Sequence, residues 1–328
     1  MSRPASESSF APRDHRRGFA TQFRVGFSAI IVLGLAVFAL TGCGRKTTSD
    51  EAIRPTVLRL GWVPNDEDVE RRSRWEGLVR YLERKLQVPV ELVQTGSYSP
   101  AIEAMRGAKL DICGLAPFAY LLASEKGIAE PLVAPGFASG EPNRYRSGFI
   151  VPAASAIRSL EDVKARASEL TLAWADPASA SGHLVPRAHL ESLGINPEKE
   201  FKQVLFAMNH TASIMTVKAG KVDLAAITTT SLRSLIEKGR IAEGDVRLIW
   251  ESEPIMASVI AMRRGLPESF KKELLAAYLA FSTEDPVAWA SLAPVYLTAG
   301  VRWVAASDRD FDSLRQLARN VKHLKLLN

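Results

Sequence analysis

Arg106-Gly-Ala-Lys-Leu-Asp-Ile-Cys113 and Lys218-Ala-Gly-Lys-Val-Asp-Leu-Ala225 spell the same local structure twice. In each, a helical pattern closes near a glycine, Lys-x-Asp follows, and a short apolar run begins. A glycine past the last helical turn reads as a helix stop, and an apolar run of strand length reads as a buried strand. One such unit in each half of the chain predicts two lobes built on one plan. A ligand cleft then belongs between them, where small-molecule sites are often found.

Around these units, strand-like and helix-like patterns alternate. Val57 to Trp62 is β-rich, and Trp75, Leu78, Val79, Leu82 and Leu86 fall on one face of an amphipathic helix. Val88–Val93, Leu110–Gly114, Ser147–Val151, Leu170–Ala175, Val204–Ala207, Leu224–Ile227 and Val246–Trp250 read as strands. Helices are predicted over Pro100–Arg106, Pro117–Lys126, Gly182–Leu193, Ala212–Ala219 and Ser231–Lys238, with another opened by Ser159-Leu-Glu-Asp162. From Ser269 onward the pattern is mostly helical. This βαβ alternation predicts an α/β protein with largely parallel or mixed sheets.

One loop stands out chemically. Trp174-Ala-Asp-Pro-Ala-Ser-Ala-Ser-Gly-His-Leu-Val-Pro186 takes a strand through a proline turn, past two serines and a glycine, into a helix. That order puts hydroxyls and unpaired backbone N–H groups at a helix N-terminus, which favours an anion. A serine there also reads as a plain helix cap.

The first 43 residues read as an export signal. Arg3, Arg13, Arg16, Arg17 and Arg24 stand against Glu7 and Asp14, Val25–Gly42 is uncharged, and the segment ends Leu40-Thr41-Gly42-Cys43. That ending looks like a lipobox, with cleavage leaving Cys43 acylated as the new N-terminus. The other reading is an uncleaved anchor, since the uncharged run is just long enough to span a bilayer. Arg16-Arg17-Gly18-Phe19-Ala20 faintly resembles a twin-arginine export signal. Residues 43–54 read as a lipidated, unstructured tether.

Composition removes several function classes. Without residues 1–42 the formal charge falls from +6 to +3, and basic residues are scattered among acids with no aromatic interleaving. Nucleic acid is therefore an unsuitable partner. The chain has two cysteines, so lipidation of Cys43 leaves Cys113 with no disulfide partner. No nucleophile elbow or Walker loop is present, and His183, His189, His210 and His323 share no metal-ligand spacing. The sequence reads as neither an enzyme nor the holder of a metal or cofactor.

Nine landmarks in order carry a resemblance. They are Gly61-Trp-Val-Pro64; Tyr81-Leu-Glu-Arg-Lys-Leu86; Tyr98 with Ile102-Glu-Ala104; Asp111-Ile-Cys-Gly-Leu-Ala-Pro-Phe-Ala-Tyr120; Tyr145-Arg-Ser147; Asp176-Pro-Ala-Ser-Ala-Ser-Gly182; His210 with Ile214; Gly220-Lys-Val-Asp223; and Ile249-Trp-Glu-Ser252. From about Leu58 to Leu279 the chain resembles the phosphate/phosphite/phosphonate substrate-binding proteins of bacterial ABC transporters, with the type II periplasmic-binding-protein fold. The resemblance implies lobe 1 over 55–146, lobe 2 over 147–250, and a return to lobe 1 with C-terminal helices over 251–328. Hinges are expected near Tyr145–Ser147 and Trp250–Pro254. It also implies that Ser179, the backbone around Ala180, Ser181 and Gly182, together with His210, hold the oxyanion, and that Tyr98 and Tyr145 close over it. Read alone, His210 is a helix-start residue beside the cap Asn209, and the tyrosines are packing residues.

The departures from the family pattern bear on the ligand. Position 180 is Ala where the family often has Thr, removing one hydroxyl. Thr230 and Ser258 stand in register with acidic residues that grip an ammonium in aminophosphonate binders. Neither is acidic, and a buried ammonium without a carboxylate is costly. The expected ligand is a small phosphorus oxyanion without an amine: phosphite, phosphate or a simple phosphonate. A monomer delivering it to an ABC permease and ATPase, held to a membrane outside the cytoplasm by its lipid, is the first reading. The alternative is an oxyanion sensor serving a membrane histidine kinase. Arsenic-sensing relatives use a cysteine thiolate, which makes Cys113 a soft-ligand candidate; otherwise it is a small buried hydrophobe. Phe311, Leu314, Leu317, Val321 and Leu324 form an apolar stripe expected to pack on lobe 1.

Overall fold

The computed structural model describes residues 53–63, 69–296 and 298–321, excepting the side chains of 69–71. The export segment, Cys43, the tether as far as residue 52 and Leu324 lie outside the described residues. Arg54, read as the end of the tether, is docked: its guanidinium donates to Glu273 at 2.8 Å and lies 4.7 Å over the Phe270 ring.

Along the chain, lobe 1 begins with β1 (Leu58–Trp62), α1 (Val69–Leu86), β2 (Val90–Gln94), α2 (Tyr98–Arg106), β3 (Ile112–Leu115), α3 (Pro117–Glu125) and β4 (Ala129–Gly136). The chain crosses through β5 (Arg144–Tyr145) into lobe 2, which holds β6 (Ser147–Pro152), α4 (Leu160–Arg166), β7 (Thr171–Trp174), α5 (Val185–Ser192), α6 (Pro197–Glu200), β8 (Gln203–Phe206), α7 (His210–Lys218), β9 (Leu224–Thr228), α8 (Thr229–Glu237) and β10 (Val246–Glu251). It returns through β11 (Ile255–Met256) to add β12 (Val259–Arg263), α9 (Glu268–Glu284), α10 (Pro286–Leu292), β13 (Arg302–Ala305) and α11 (Asp312–Asn320).

The two sheets repeat one topology. The first has the order β13-β4-β12-β3-β1-β2 and the second β10-β6-β9-β7-β8. In each, the second strand from one edge is parallel to both neighbours: β1 to β2 and β3, β7 to β8 and β9. The next strand out, β12 or β6, runs antiparallel and is the one that arrives from the opposite lobe. The two crossing segments pair with each other as β5 and β11, Tyr145 opposite Ile255.

The repeated Lys-x-Asp units explain why both lobes fold alike. Asp111 accepts the Arg59 N–H at 3.0 Å and returns its own N–H to the Arg59 carbonyl at 3.0 Å. Asp223 accepts the Thr171 N–H at 2.8 Å and donates to the Thr171 carbonyl at 3.1 Å. Each aspartate thus ties the start of one strand, β3 or β9, to the first residues of its parallel neighbour, β1 or β7. The residue before each lysine is left-handed, Ala108 at φ 52° and Gly220 at φ 65°.

The apolar stripe of α1 is buried as its spacing predicts. Trp75, Leu78, Tyr81, Leu82 and Leu86 pack with Phe270, Leu274, Tyr278 and Phe281 of α9. Five strands escaped the sequence pattern, the two short crossing strands β5 and β11 among them. In β4, Pro131 and Pro135 break the usual signature. Pro131 sits at a register shift opposite Ala261, and Pro135 pairs only with Trp303 on the outer side. β12 follows the return crossing, and β13 lies within the stretch read as mostly helical, closing the edge of the first sheet. The C-terminal stripe also packs differently. Phe311, Leu314, Ala318 and Val321 are buried in a core that contains α3 residues, with Val185 and Ala188 of α5 against it. The tail therefore touches both lobes, not lobe 1 alone.

Candidate functional site

The cleft between the lobes is lined on one side by Val63, Gly96, Ser97 and Tyr98, and on the other by Ala175, Asp176, Ser179, Met208, Asn209 and His210. Four of the contacts are the same position taken twice. The strand registers pair Trp62 with Gln94 and Trp174 with Phe206, so the residues that follow correspond: Val63 to Ala175, Gly96 to Met208, Ser97 to Asn209 and Tyr98 to His210. Even the bonds repeat, Thr95 N–H to the Trp62 carbonyl at 3.0 Å and Ala207 N–H to the Trp174 carbonyl at 2.8 Å.

Three helix N-termini converge there. α2 opens at Tyr98 behind Ser97, whose side chain makes no capping bond. α7 opens at His210, capped by Asn209 Oδ1 accepting the Ala212 N–H at 2.7 Å. The third is the serine loop. Beyond β7 it forms a π-type turn, Ala180–Leu184, running directly into α5, so the predicted helix starts two residues earlier and wider than an α-turn. Such turns are frequent at functional sites. Each terminus contributes the positive end of a helix dipole.

The loop is organised by its own side chains. Asp176 Oδ1 accepts the Ala178 N–H at 2.7 Å, and Ser179 Oγ accepts the Gly182 N–H at 2.9 Å. The Gly182 N–H is therefore consumed, a correction to the expectation that it donates to a ligand. Its role is steric. A Cβ at Gly182 would overlap the Ala175 methyl and stand 2.9 Å from His210 Cε1 and 3.0 Å from Ser179 Oγ. Among the described residues the N–H groups of Ala180 and Ser181 have no protein acceptor, and the Ser179 hydroxyl, already accepting, keeps its proton to donate.

His210 is held in one tautomer. Its Nδ1 accepts the Thr228 N–H at 3.1 Å, so the ring proton resides on Nε2, 3.4 Å from Ser181 Oγ. The Ser181 carbonyl accepts from Ser147 Oγ at 2.6 Å, anchoring the loop to the start of β6, just past the crossing. Tyr145 sits behind Ser181 instead of lining the cleft. Its ring is partly exposed but its hydroxyl is enclosed, and burial pushes the phenol up to about 12, against a hydrogen bond from Ser181.

Asp176 was quoted in the sequence motif but given no part. It is 7% exposed, and its second carboxylate oxygen has no protein partner among the described residues. Burial pushes its carboxyl above the ordinary range, and the Ala178 N–H offsets part of that. Among the described residues no lysine or arginine lines the cleft, and the donors found there are neutral.

Three expected contacts fall elsewhere. Thr230 hydrogen-bonds Thr228 at 2.7 Å and faces a separate opening with Arg233 and Trp289. Ser258 lines a chamber of lobe 1 beside Trp62 and Trp75. Cys113 is fully buried, filling the space left by the missing side chain of Gly61, and burial pushes its thiol up to about 12. It is the small buried hydrophobe of the two readings, and no thiolate is offered to the cleft.

With this geometry in view, residues 60–311 match the family described as "ABC transporter, phosphonate, periplasmic substrate-binding protein". The chain belongs to that family. It is 26% identical over 255 residues to the "Phosphate-import protein PhnD" of Mycolicibacterium smegmatis, covering 75% of this chain and 78% of that one. Its fold matches the binding-protein component of an ABC phosphonate transporter from Pseudomonas aeruginosa with a TM-score of 0.73 and 25% identity, over 84% of this chain and 90% of that one. PhnD1 of Prochlorococcus marinus, solved with methylphosphonate, shares the fold at a TM-score of 0.68 and 20% identity, over 82% and 99% of the two chains. The family is one of substrate-binding proteins, not of enzymes. This binding protein thus works outside the cytoplasm with a small ligand, a permease and its ATPase. No described helix is long and apolar enough to cross a membrane.

Proposed function

We propose that the cleft captures a phosphorus oxyanion bearing no amine (phosphate, phosphite or a simple phosphonate) and releases it to an ABC permease. The observation that carries this reading is the meeting of three helix N-termini with a His210 whose proton is fixed on Nε2. A desolvated oxyanion needs many donors and few competing charges. The Ala180 and Ser181 N–H groups and the Ser179 hydroxyl hold one side of it, with His210 Nε2 and Ser181 Oγ beside them. Ser97 and Tyr98, at the equivalent places on lobe 1, close from above. Asp176 lies within the donor loop, so it meets the head group and does not serve as a distant partner for an ammonium tail.

Cys43 carries the lipid in this reading, and residues 44–52 tether the folded part to the membrane. Isothermal titration of residues 44–328 with phosphate, phosphite, methylphosphonate and 2-aminoethylphosphonate tests the ligand class. At least one amine-free oxyanion binds tightest, and Ser181→Ala weakens it roughly 10- to 100-fold, as expected for a lost hydrogen bond to a charged group. Preference for 2-aminoethylphosphonate, or no binding by any of the four, overturns the reading.

A further inference from the structure

Met208 holds a left-handed backbone, at φ 77°. That conformation crowds a Cβ against the chain and favours glycine. Gln87 and Ala108, the other such non-glycine residues among those described, each lie just past the end of a helix, where the chain turns back. Met208 stands instead before a helix, and bonds on both sides fix it there. The Ala207 N–H donates to the Trp174 carbonyl at 2.8 Å, and Asn209 caps α7 through the Ala212 N–H at 2.7 Å. Burial does not offset the strain, because Met208 is 63% exposed and lines the cleft. Strain of this kind survives where the surroundings over-determine it, and it clusters at functional sites. The opposite wall carries the complement. Gly96, the lobe 1 counterpart of Met208, lines the same cleft. It is not left-handed, and a Cβ built on it would meet nothing within 4 Å. Glycine is thus missing from the turn that strains a side chain and present in the turn that would accept one freely.

We propose that Met208 and Gly96 form a knob and socket across the mouth of the cleft: with an oxyanion bound, the Met208 side chain swings over it, seats beside Gly96 and seals the site from water. The inference rests on the anion reading of the cleft. The cleft is ≈ 60 Å³, small enough for one long side chain to cover. Methionine suits the task, being unbranched, flexible and able to fill an irregular gap. Its thioether covers the anion without bringing a competing charge. Once water is excluded, every hydrogen bond from the donors to the oxyanion gains strength. The two residues sit on opposite lobes, so the contact forms as the hinge closes and holds the closed state.

The test titrates the tightest binder among phosphate, phosphite and methylphosphonate into the wild type, Met208→Gly, Met208→Leu and the double variant Met208→Gly/Gly96→Met. Met208→Gly melts about 2–4 °C higher, because its strain is relieved, and yet binds roughly tenfold weaker. Met208→Leu keeps the apolar cover and the affinity. The double variant places the knob on the other wall and recovers most of what Met208→Gly lost. Loosening of the turn by glycine would leave the double variant as weak as the single one, so that outcome overturns the proposal, as does a Met208→Gly that binds like the wild type. A second readout needs no variant: saturating ligand slows oxidation of the Met208 thioether to the sulfoxide by hydrogen peroxide, followed by mass spectrometry. Equal rates with and without ligand also overturn the proposal. In each of these cases the oxyanion still binds and the anion reading survives. If phosphate, phosphite and methylphosphonate all fail to bind the wild type, both readings fall.

Discussion

Gly182→Ala asks whether the serine loop is shaped by contact or by convenience. Gly182 has no left-handed backbone to protect, and alanine favours a helix over glycine by about 1 kcal/mol. Local propensity alone therefore predicts a more stable protein. The contacts predict the opposite sign. The new methyl overlaps Ala175 and meets His210 Cε1 at 2.9 Å and Ser179 Oγ at 3.0 Å. Ala175 belongs to the end of a buried strand, and His210 is tied through Nδ1 to the Thr228 N–H at 3.1 Å. Neither yields cheaply, and overpacking of this kind costs about 1–3 kcal/mol. The net expectation is a loss of about 0–2 kcal/mol, a fall of about 2–4 °C in melting temperature per kcal/mol. Binding suffers more. Moving His210 and Ser179 displaces two donors, so affinity for the preferred oxyanion drops roughly 100-fold. Differential scanning calorimetry and titration of the same sample read both effects. A variant that melts higher and binds as the wild type would show that the loop relaxes freely and that Gly182 has no steric role.

The remaining predictions touch other levels of the structure. Ala108 is left-handed at φ 52° where its counterpart is Gly220, so Ala108→Gly stabilises by about 1 kcal/mol and Gly220→Ala destabilises by a similar amount in thermal melts. Equal melting temperatures in both would refute the equivalence of the two turns. Asp176 has a raised folded-state pKa from burial, so its stabilising contribution is complete below the unfolded value and is lost as pH rises through the folded one. Asp176→Asn, which keeps the acceptor for Ala178, is accordingly more stable than the wild type at neutral pH. It also binds the oxyanion with a flatter pH dependence, the ligand's own titration being common to both proteins. Weaker binding by Asp176→Asn would mean instead that the carboxylate accepts a proton from the ligand. Cys113, buried and with its thiol pushed up to about 12, stays unmodified by iodoacetamide at pH 8 until the protein is unfolded, and arsenite leaves the melting temperature unchanged. Native labelling would reopen the soft-ligand reading.

Much of the fold was written in short-range patterns. The α1 stripe and the central strands follow from apolar periodicity, and the family landmarks lie in order along them. β4 was illegible because its two prolines carry the signature of a loop. Only the neighbouring strands, through a register shift opposite Pro131 and one-sided pairing at Pro135, make room for it. β13 was illegible for another reason: four residues gain strand character only from the edge they cover. The site divided in the same way. Ser179 follows from the local signal of a helix start, whereas Tyr98 and His210 enter only through the family resemblance, since read alone they signal packing and a helix start. Thr230 and Ser258 were misplaced because motif register gives position along the chain, and it cannot say that Thr230 turns toward Thr228. Asp176 was overlooked because its role depends on burial, which no local pattern reports.

The repeated Lys-x-Asp units reach further than the strand they start. By pinning β3 to β1 and β9 to β7, Asp111 and Asp223 fix equivalent registers in the two lobes. That register puts Ser97-Tyr98 and Asn209-His210 at the same place in the two lobes, each at the start of the helix after the second strand. Ligands in open α/β sheets collect at such strand ends, where helix N-termini point outward. Two copies turned toward each other double that field, with no cationic side chain among the described lining residues. The copies then diverge where discrimination requires it. Lobe 2 carries the serine loop and the histidine, the groups proposed above to hold the oxyanion. Lobe 1 carries a tyrosine at the histidine's position and an aromatic chamber behind it. In the function proposed above, it is this difference between the two walls, and not the frame they share, that gives the cleft its choice of ligand.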